Sequence, residues 1–109
     1  MQIKKVGVIG AGQMGNGIAH VLSLGGYHVI LNDIDKNTLE KASHNIKNNL
    51  ERQVNSKKIS TAESNAALKL IDYTVSLEDF NEVDLVIEAA TEFGKQMCKA
   101  AIAMRLNNG

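Results

Sequence analysis

The sequence predicts an α/β fold, a parallel sheet with its strands in the order 3-2-1-4 and helices packed on it. Three observations carry this expectation. A short apolar run, Val6 to Ile9, stops at the glycine-rich turn Gly10-Ala11-Gly12-Gln13-Met14-Gly15 and resumes with helix-compatible residues. A second apolar run, Tyr27 to Asn32, ends in the acid Asp33. Two more runs, Leu70 to Val75 and Asp84 to Ala89, come after a long stretch of helical periodicity. Apolar strands alternating with helical segments mark βαβ units, whose strands run parallel and whose crossovers are right-handed.

Each element has its own warrant. Val6 to Ile9 is continuously apolar, as a strand buried on both faces should be. The first helix is expected over Gln13 to Leu24, with Met14, Ile18, Ala19, Val21 and Leu22 as its apolar stripe and Gly25-Gly26 as its stop. Asp35 or Asn37 can cap a second helix over Lys36 to Asn55. There Leu39, Ala42, Ile46, Leu50 and Val54 recur at helical spacing, and the opposite face is Lys, Asn, Glu and Arg. Lys57-Lys58 break it. Ser60 three residues before Glu63 has the form of a capping box and should open a shorter helix ending near Leu68. The two helices make a hairpin inserted between strands two and three. Ile71, Tyr73 and Val75 alternate in strand three, and Ser76-Leu77-Glu78-Asp79 can cap a single helical turn. A last helix is expected from about Glu92 to Leu106.

Gly10, Gly12 and Gly15 have the spacing that dinucleotide-binding, Rossmann-type domains use, in the required strand–turn–helix setting. Gly10 permits the tight turn. Gly12 lets the backbone approach a pyrophosphate, and Gly15 lets the helix sit close to the strand. The unpaired N–H groups and the dipole of that helix make an anion site. Asp33 is placed to accept hydrogen bonds from an adenosine ribose and to repel a 2′-phosphate. No Arg or Lys stands at 34 or 35 to receive one, and Lys36 is the nearest cation, so NAD is preferred over NADP.

The chain has 109 residues, which is the length of one domain, 1–109. Twelve basic residues balance 12 acidic ones, which argues against a nucleic-acid partner. The one cysteine, Cys98, excludes an internal disulfide and, with no signal segment, predicts a reducing, cytoplasmic setting. No apolar run reaches the length of a membrane span. His20 and His28 read as packing or surface residues and His44 as part of a polar face. No metal site and no His–carboxylate base is predicted.

Three stretches together resemble the 3-hydroxyacyl-CoA dehydrogenase family: Gly-Ala-Gly-Gln-Met-Gly-Asn-Gly-Ile-Ala at 10–19, Asn-Asp-Ile at 32–34 and Asp-Leu-Val-Ile-Glu-Ala-Ala-Thr-Glu at 84–92. The likeness covers roughly residues 3–92, the amino-terminal NAD-binding half of a doubly wound domain. It implies that Gly10, Ala11, Gly12, Gln13, Met14 and Gly15 hold the pyrophosphate. It places Asp33 and Ile34 at the adenosine, and Ala89 and Glu92 along the nicotinamide half. It also implies that the hairpin helps receive a 3-hydroxyacyl-CoA substrate, through Asn49 and through Lys57 and Lys58 at its phosphates. The activity implied is interconversion of 3-hydroxyacyl-CoA and 3-oxoacyl-CoA, in a homo-oligomer. The family's catalytic histidine, its partner glutamate and its helical carboxy-terminal domain would lie beyond residue 109. No catalytic residue is therefore assigned, and residues 1–109 alone are expected to bind nucleotide without turnover. The segment 92–109 departs from the family: a cofactor-contacting lysine belongs five residues after the glutamate, where this chain has Met97. If the chain stops there, the edge formed by Leu85 to Ala89 is expected to be open and to drive self-association. Two other readings stay open. One is a 3-hydroxyacid or 6-phosphogluconate-type dehydrogenase domain using NAD(P); the other is a non-catalytic nucleotide-binding module.

Overall fold

The computed structural model describes residues 2–89 and 101–104. Its strands are β1 (Lys5–Ile9), β2 (His28–Asn32), β3 (Ile71–Thr74), β4 (Leu85–Glu88) and β5 (Ala101–Met104), in one sheet ordered β3-β2-β1-β4-β5. The first four are parallel. Val6 and Val8 lie level with Val29 and Leu31 of β2 on one side and with Leu85 and Ile87 of β4 on the other. The helices are α1 (Gln13–Leu24), α2 (Lys36–Asn55) and α3 (Thr61–Lys69). The bounds of α1 and α2 are those expected from periodicity and caps.

The order 3-2-1 with right-handed crossovers puts all three helices on one face of the sheet. There Val6, Val8, Val29 and Leu31 meet Ala19 of α1, Ala67 of α3 and the stripe Leu39, Ala42, Ile46 and Leu50 of α2. Burying side chains of this size stabilises the fold by roughly 1.5–3 kcal/mol each. The passage from β3 to β4 crosses the sheet in the opposite direction, so the second face is covered differently. A short 3-10 turn, Leu77–Phe80, drops Phe80 beneath the sheet with Val83 and Ile30. Gly7 makes room for it, since a Cβ there would stand 2.6 Å from the Phe80 ring.

Local polar chemistry fixes the helix starts. Asp35 caps α2 by accepting from the Asn37 N–H at 2.9 Å. Ser60 and Glu63 form the expected capping box of α3, with bonds of 2.9 and 3.0 Å in the two directions. The end of α2 is less ordinary. Lys57 has φ 64°, and the N–H groups of Lys57 and Lys58 return to the carbonyls of Val54 and Gln53. This is a Schellman closure with lysine where glycine is cheapest.

Three expectations are corrected. The first concerns the helix expected over 92–106: within it, Ala101–Met104 forms a strand antiparallel to β4, with Leu85 opposite Met104 and Glu88 opposite Ala101. Four consecutive apolar residues fit either period, and pairing satisfies backbone groups that β4 would otherwise leave open. The rest of that segment, Glu92 included, lies outside the described residues. The second follows from the first: the open Leu85–Ala89 edge, and self-association through it, are replaced by the β4–β5 pair. The third concerns α1. Val21, expected in its apolar stripe, is 69% exposed, while Asn16 and Ser23 are buried. Ser23 satisfies itself by donating to the His20 carbonyl at 2.8 Å, and the rest of the expected stripe, Met14, Ile18, Ala19 and Leu22, packs in or against the core.

Two predictions follow from this packing. A Cβ on Gly15 would stand 1.7 Å from the Gly10 carbonyl oxygen, whereas one on Gly17 would meet nothing. In urea unfolding, Gly15→Ala should destabilise by at least the ~1–3 kcal/mol of an overpacked site. Gly17→Ala, on the same helix, should stabilise by about 1 kcal/mol through helix propensity. Asp84 accepts from the Lys4 and Lys5 N–H groups at 2.9 and 3.0 Å, and these bonds hold its carboxyl below the usual aspartate range. A depressed folded value means that the contribution is complete at neutral pH and is lost as pH falls through that value, below about 3.9. Asp84→Asn should therefore unfold more readily than the parent at pH 7, and the difference should vanish in acid titration.

Candidate functional site

At the carboxyl ends of the parallel strands the chain turns from β1 into α1. Gly10, at φ 97°, makes the reversal, and its N–H still reaches the Asn32 carbonyl of β2 at 2.7 Å. Ala11 is 2% exposed, and its N–H donates to Oδ2 of Asp33 at 2.9 Å. Oδ1 of Asp33 accepts from the Asp35 N–H at 2.9 Å. Gly12 is the N-cap of α1, with no side-chain cap and no acid in the first turn. The N–H groups of Gly12, Gln13, Met14 and Gly15 have no acceptor among the described residues, and the next, Asn16, bonds back to the Gly12 carbonyl at 2.9 Å. The turn therefore offers a row of unpaired donors at the positive end of a helix dipole, the arrangement that binds a phosphate. With Gly15 stripped of any Cβ, these residues fit a dinucleotide's diphosphate.

The remaining expected residues fall around this turn or away from it. Asp33 follows the end of β2, half-buried, and Ile34 beside it is 91% exposed. Ala89 lies level with the turn, its N–H committed to the Ile9 carbonyl at 2.7 Å. Met14 packs its side chain against the core, so only its backbone faces the site. Asn49 is brought together with the turn: a cleft of about 450 Å³ runs between α1 and α2, and Gly12, Gln13 and Asn49 line it. Lys57 and Lys58 are elsewhere, lining a separate depression with Ser60 and Glu63 at the tip of the hairpin. They stand roughly 10 Å further along α2 than Asn49.

The sequence reading missed the four polar residues that line the cleft beside Gln13 and Asn49. Thr38, Lys41 and Asn45 face it from α2, and Asn16 from α1. The first three share a spacing with Asn49 that puts all four on one stripe of the helix; read only as a polar face, they carried no functional signal. Asn16 is 7% exposed, and its carboxamide has no partner among the described residues. The sequence reading also missed that the Asp33 carboxylate accepts from the Ala11 and Asp35 N–H groups. Among the described residues no group of three His, Cys, Asp or Glu could hold a metal, and no helix is long and apolar enough to cross a membrane.

Comparison with known proteins agrees with this geometry. The NAD-binding domain of 3-hydroxyacyl-CoA dehydrogenase matches residues 5–108. A 3-hydroxybutyryl-CoA dehydrogenase of Bradyrhizobium diazoefficiens is 50% identical over 90 residues, which are 83% of this chain and 31% of that protein. A glyoxysomal fatty acid beta-oxidation multifunctional protein of Cucumis sativus is 35% identical over 84% of this chain and 13% of its own length. The crystal structure of the (S)-3-hydroxybutyryl-CoA dehydrogenase PaaH1 from Ralstonia eutropha superposes with a TM-score of 0.80 at 37% identity, over 84% of this chain and 32% of that one. The chain thus spans about a third or less of the relatives it matches. It belongs to the NAD-binding domain family of the 3-hydroxyacyl-CoA dehydrogenases.

Proposed function

We propose that this chain supplies the NAD site of an enzyme that interconverts 3-hydroxyacyl-CoA and 3-oxoacyl-CoA. The observation that carries the reading is the set of N–H groups from Gly12 to Gly15, unpaired and aimed past Gly10, with the Asp33 carboxylate beside them. Bound NAD would supply the hydride acceptor. The chain's own residues bind and orient it. The turn takes the diphosphate, Asp33 the adenosine ribose and Ile34 the adenine face. Ala89 and Glu92 then flank the nicotinamide half. Such fixation holds the reacting carbon where a substrate can meet it, the main source of effective molarity in bimolecular steps.

The acyl-CoA falls to the hairpin side of the turn. Asn49 shares its cleft with Gly12 and Gln13, so a ligand there abuts the cofactor. Lys57 and Lys58 meet the phosphates from the hairpin tip. One structural fact supports Lys57: it stands in the left-handed region, which costs a non-glycine residue about 1–2 kcal/mol. A residue retained against such a cost is a reasonable place to look for function. The reducing, cytoplasmic setting and the homo-oligomer belong to the same proposal, with sedimentation velocity as the check on the latter.

The experiment is a fluorescence titration of the chain with NADH and with NADPH. NADH should bind at least about tenfold more tightly, because a 2′-phosphate would lie against an unneutralised carboxylate. Equal affinities would favour the 3-hydroxyacid or 6-phosphogluconate-type reading, and no binding of either would reject a dinucleotide site. Lys57→Gly gives a second test. It should raise stability by about 1–2 kcal/mol while weakening coenzyme A binding in a salt-dependent way. Unchanged affinity would return Lys57 to the solvated surface.

A further inference from the structure

Every helix of the described chain but one is capped by its own N-cap side chain. Asp35 serves α2, Ser60 serves α3 and Ser76 serves the 3-10 turn. The exception is α1, whose N-cap Gly12 has no side chain to offer. Its turn instead borrows a carboxylate from 22 residues away, Oδ2 of Asp33, which takes the Ala11 N–H at 2.9 Å. Ala11 precedes the N-cap. Bonding there holds the turn while leaving the donors of Gly12 to Gly15 uncovered. The carboxylate is itself held: Oδ1 takes the Asp35 N–H at 2.9 Å, and the Asp33 N–H bonds to the Thr74 carbonyl of β3 at 3.2 Å. A carboxylate has about four lone-pair sites, so two remain for sugar hydroxyls.

We propose that Asp33 is a positioning residue for the diphosphate turn as well as a sugar ligand, its bond to Ala11 tying the two ends of the nucleotide site together. For its ligand this rests on the NAD reading above; for its geometry it does not. The proposal makes a prediction of opposite sign to simple electrostatics. A carboxylate near a diphosphate repels it, so on charge alone its removal should tighten the binding of any nucleotide lacking ribose hydroxyls. If the carboxylate instead holds the turn in shape, its removal should weaken that nucleotide too.

The test compares the full chain with Asp33→Ala and Asp33→Asn, using ADP and 2′,3′-dideoxy-ADP in calorimetric titrations and amide hydrogen exchange at Ala11. The two variants carry the same charge and differ in whether an oxygen remains to accept from Ala11. Asp33→Ala should lose the protection of the Ala11 N–H and bind both nucleotides about tenfold more weakly. Asp33→Asn should keep the protection and bind the dideoxy nucleotide within about threefold of the parent, because its one side-chain oxygen can still take the Ala11 N–H while the Asp35 N–H gives up its acceptor. Should Asp33→Ala bind dideoxy-ADP as tightly as the parent, or leave Ala11 exchange unchanged, the positioning role is wrong and the cofactor reading stands. A parent chain that binds neither nucleotide would overturn the cofactor reading itself, and the role in binding with it.

Discussion

At Gly15 the first helix lies so close to the turn before it that a methyl group would stand 1.7 Å from the Gly10 carbonyl oxygen. The site depends on that closeness. It brings the amino end of α1 onto the carboxyl end of β1, the strand that has β2 on one side and β4, reached later from β3, on the other. Ligands of open α/β sheets bind where strand order reverses in this way, because the connections diverge and leave a crevice. Here the crevice floor is backbone, since Gly10, Gly12 and Gly15 contribute no side chains to fill it. A helix end without a cap is ordinarily a cost; on the NAD reading it is here the binding surface.

The hairpin shows how one helix can serve core and site together. Along α2, Leu39, Ala42, Ile46 and Leu50 point into the sheet. The neighbouring stripe, Thr38, Lys41, Asn45 and Asn49, faces the cleft against α1. The two stripes are about one residue apart around the helix, so the burial of Ile46 and Leu50, both 0% exposed, fixes where Asn49 stands. Core packing at about 0.74 density leaves little freedom for such a helix to roll. The polar stripe is therefore presented in one orientation, without hydrogen bonds of its own to hold it.

Much of this was legible in the sequence, and the exceptions have physical reasons. Glycine spacing, the acid after the second strand and the caps at Asp35 and Ser60 are local signals tied to local geometry, and they located α1, α2 and the turn to the residue. The burial of Asn16 and the exposure of Val21 were not legible, because the direction in which α1 rolls is decided by α2 and α3, elements that the pattern of α1 does not contain. β5 was missed for a similar reason. Ala-Ile-Ala-Met has no period of its own, and only the open side of β4 decides that it becomes a strand. The long-range bond from Asp33 to Ala11 could have been suspected from a glycine at the N-cap, which leaves the turn without a local acceptor. The cleft residues carried no such mark: asparagines and lysines on a helix look the same whether they face water or a ligand.

What the described residues contribute is binding, and the argument is one of distance. Oxidising a hydroxyl needs a base for its proton, worth typically ~10²–10⁴ in rate. His28 begins β2 while Asp33 follows its end, which at about 3.3 Å per residue puts the two residues roughly 16 Å apart. It is also bonded to Asp72 at 2.6 Å. His20 faces Gln53 at 2.8 Å, on the hairpin side of α1, and His44 lies on the exposed side of α2. None of the three stands over the turn. On the NAD reading proposed above, the unpaired donors and the Asp33 carboxylate would recognise groups that do not react, the diphosphate and the ribose, and recognition of that kind binds ground and transition states alike. On that reading, none of these three imidazoles is placed to serve as the base.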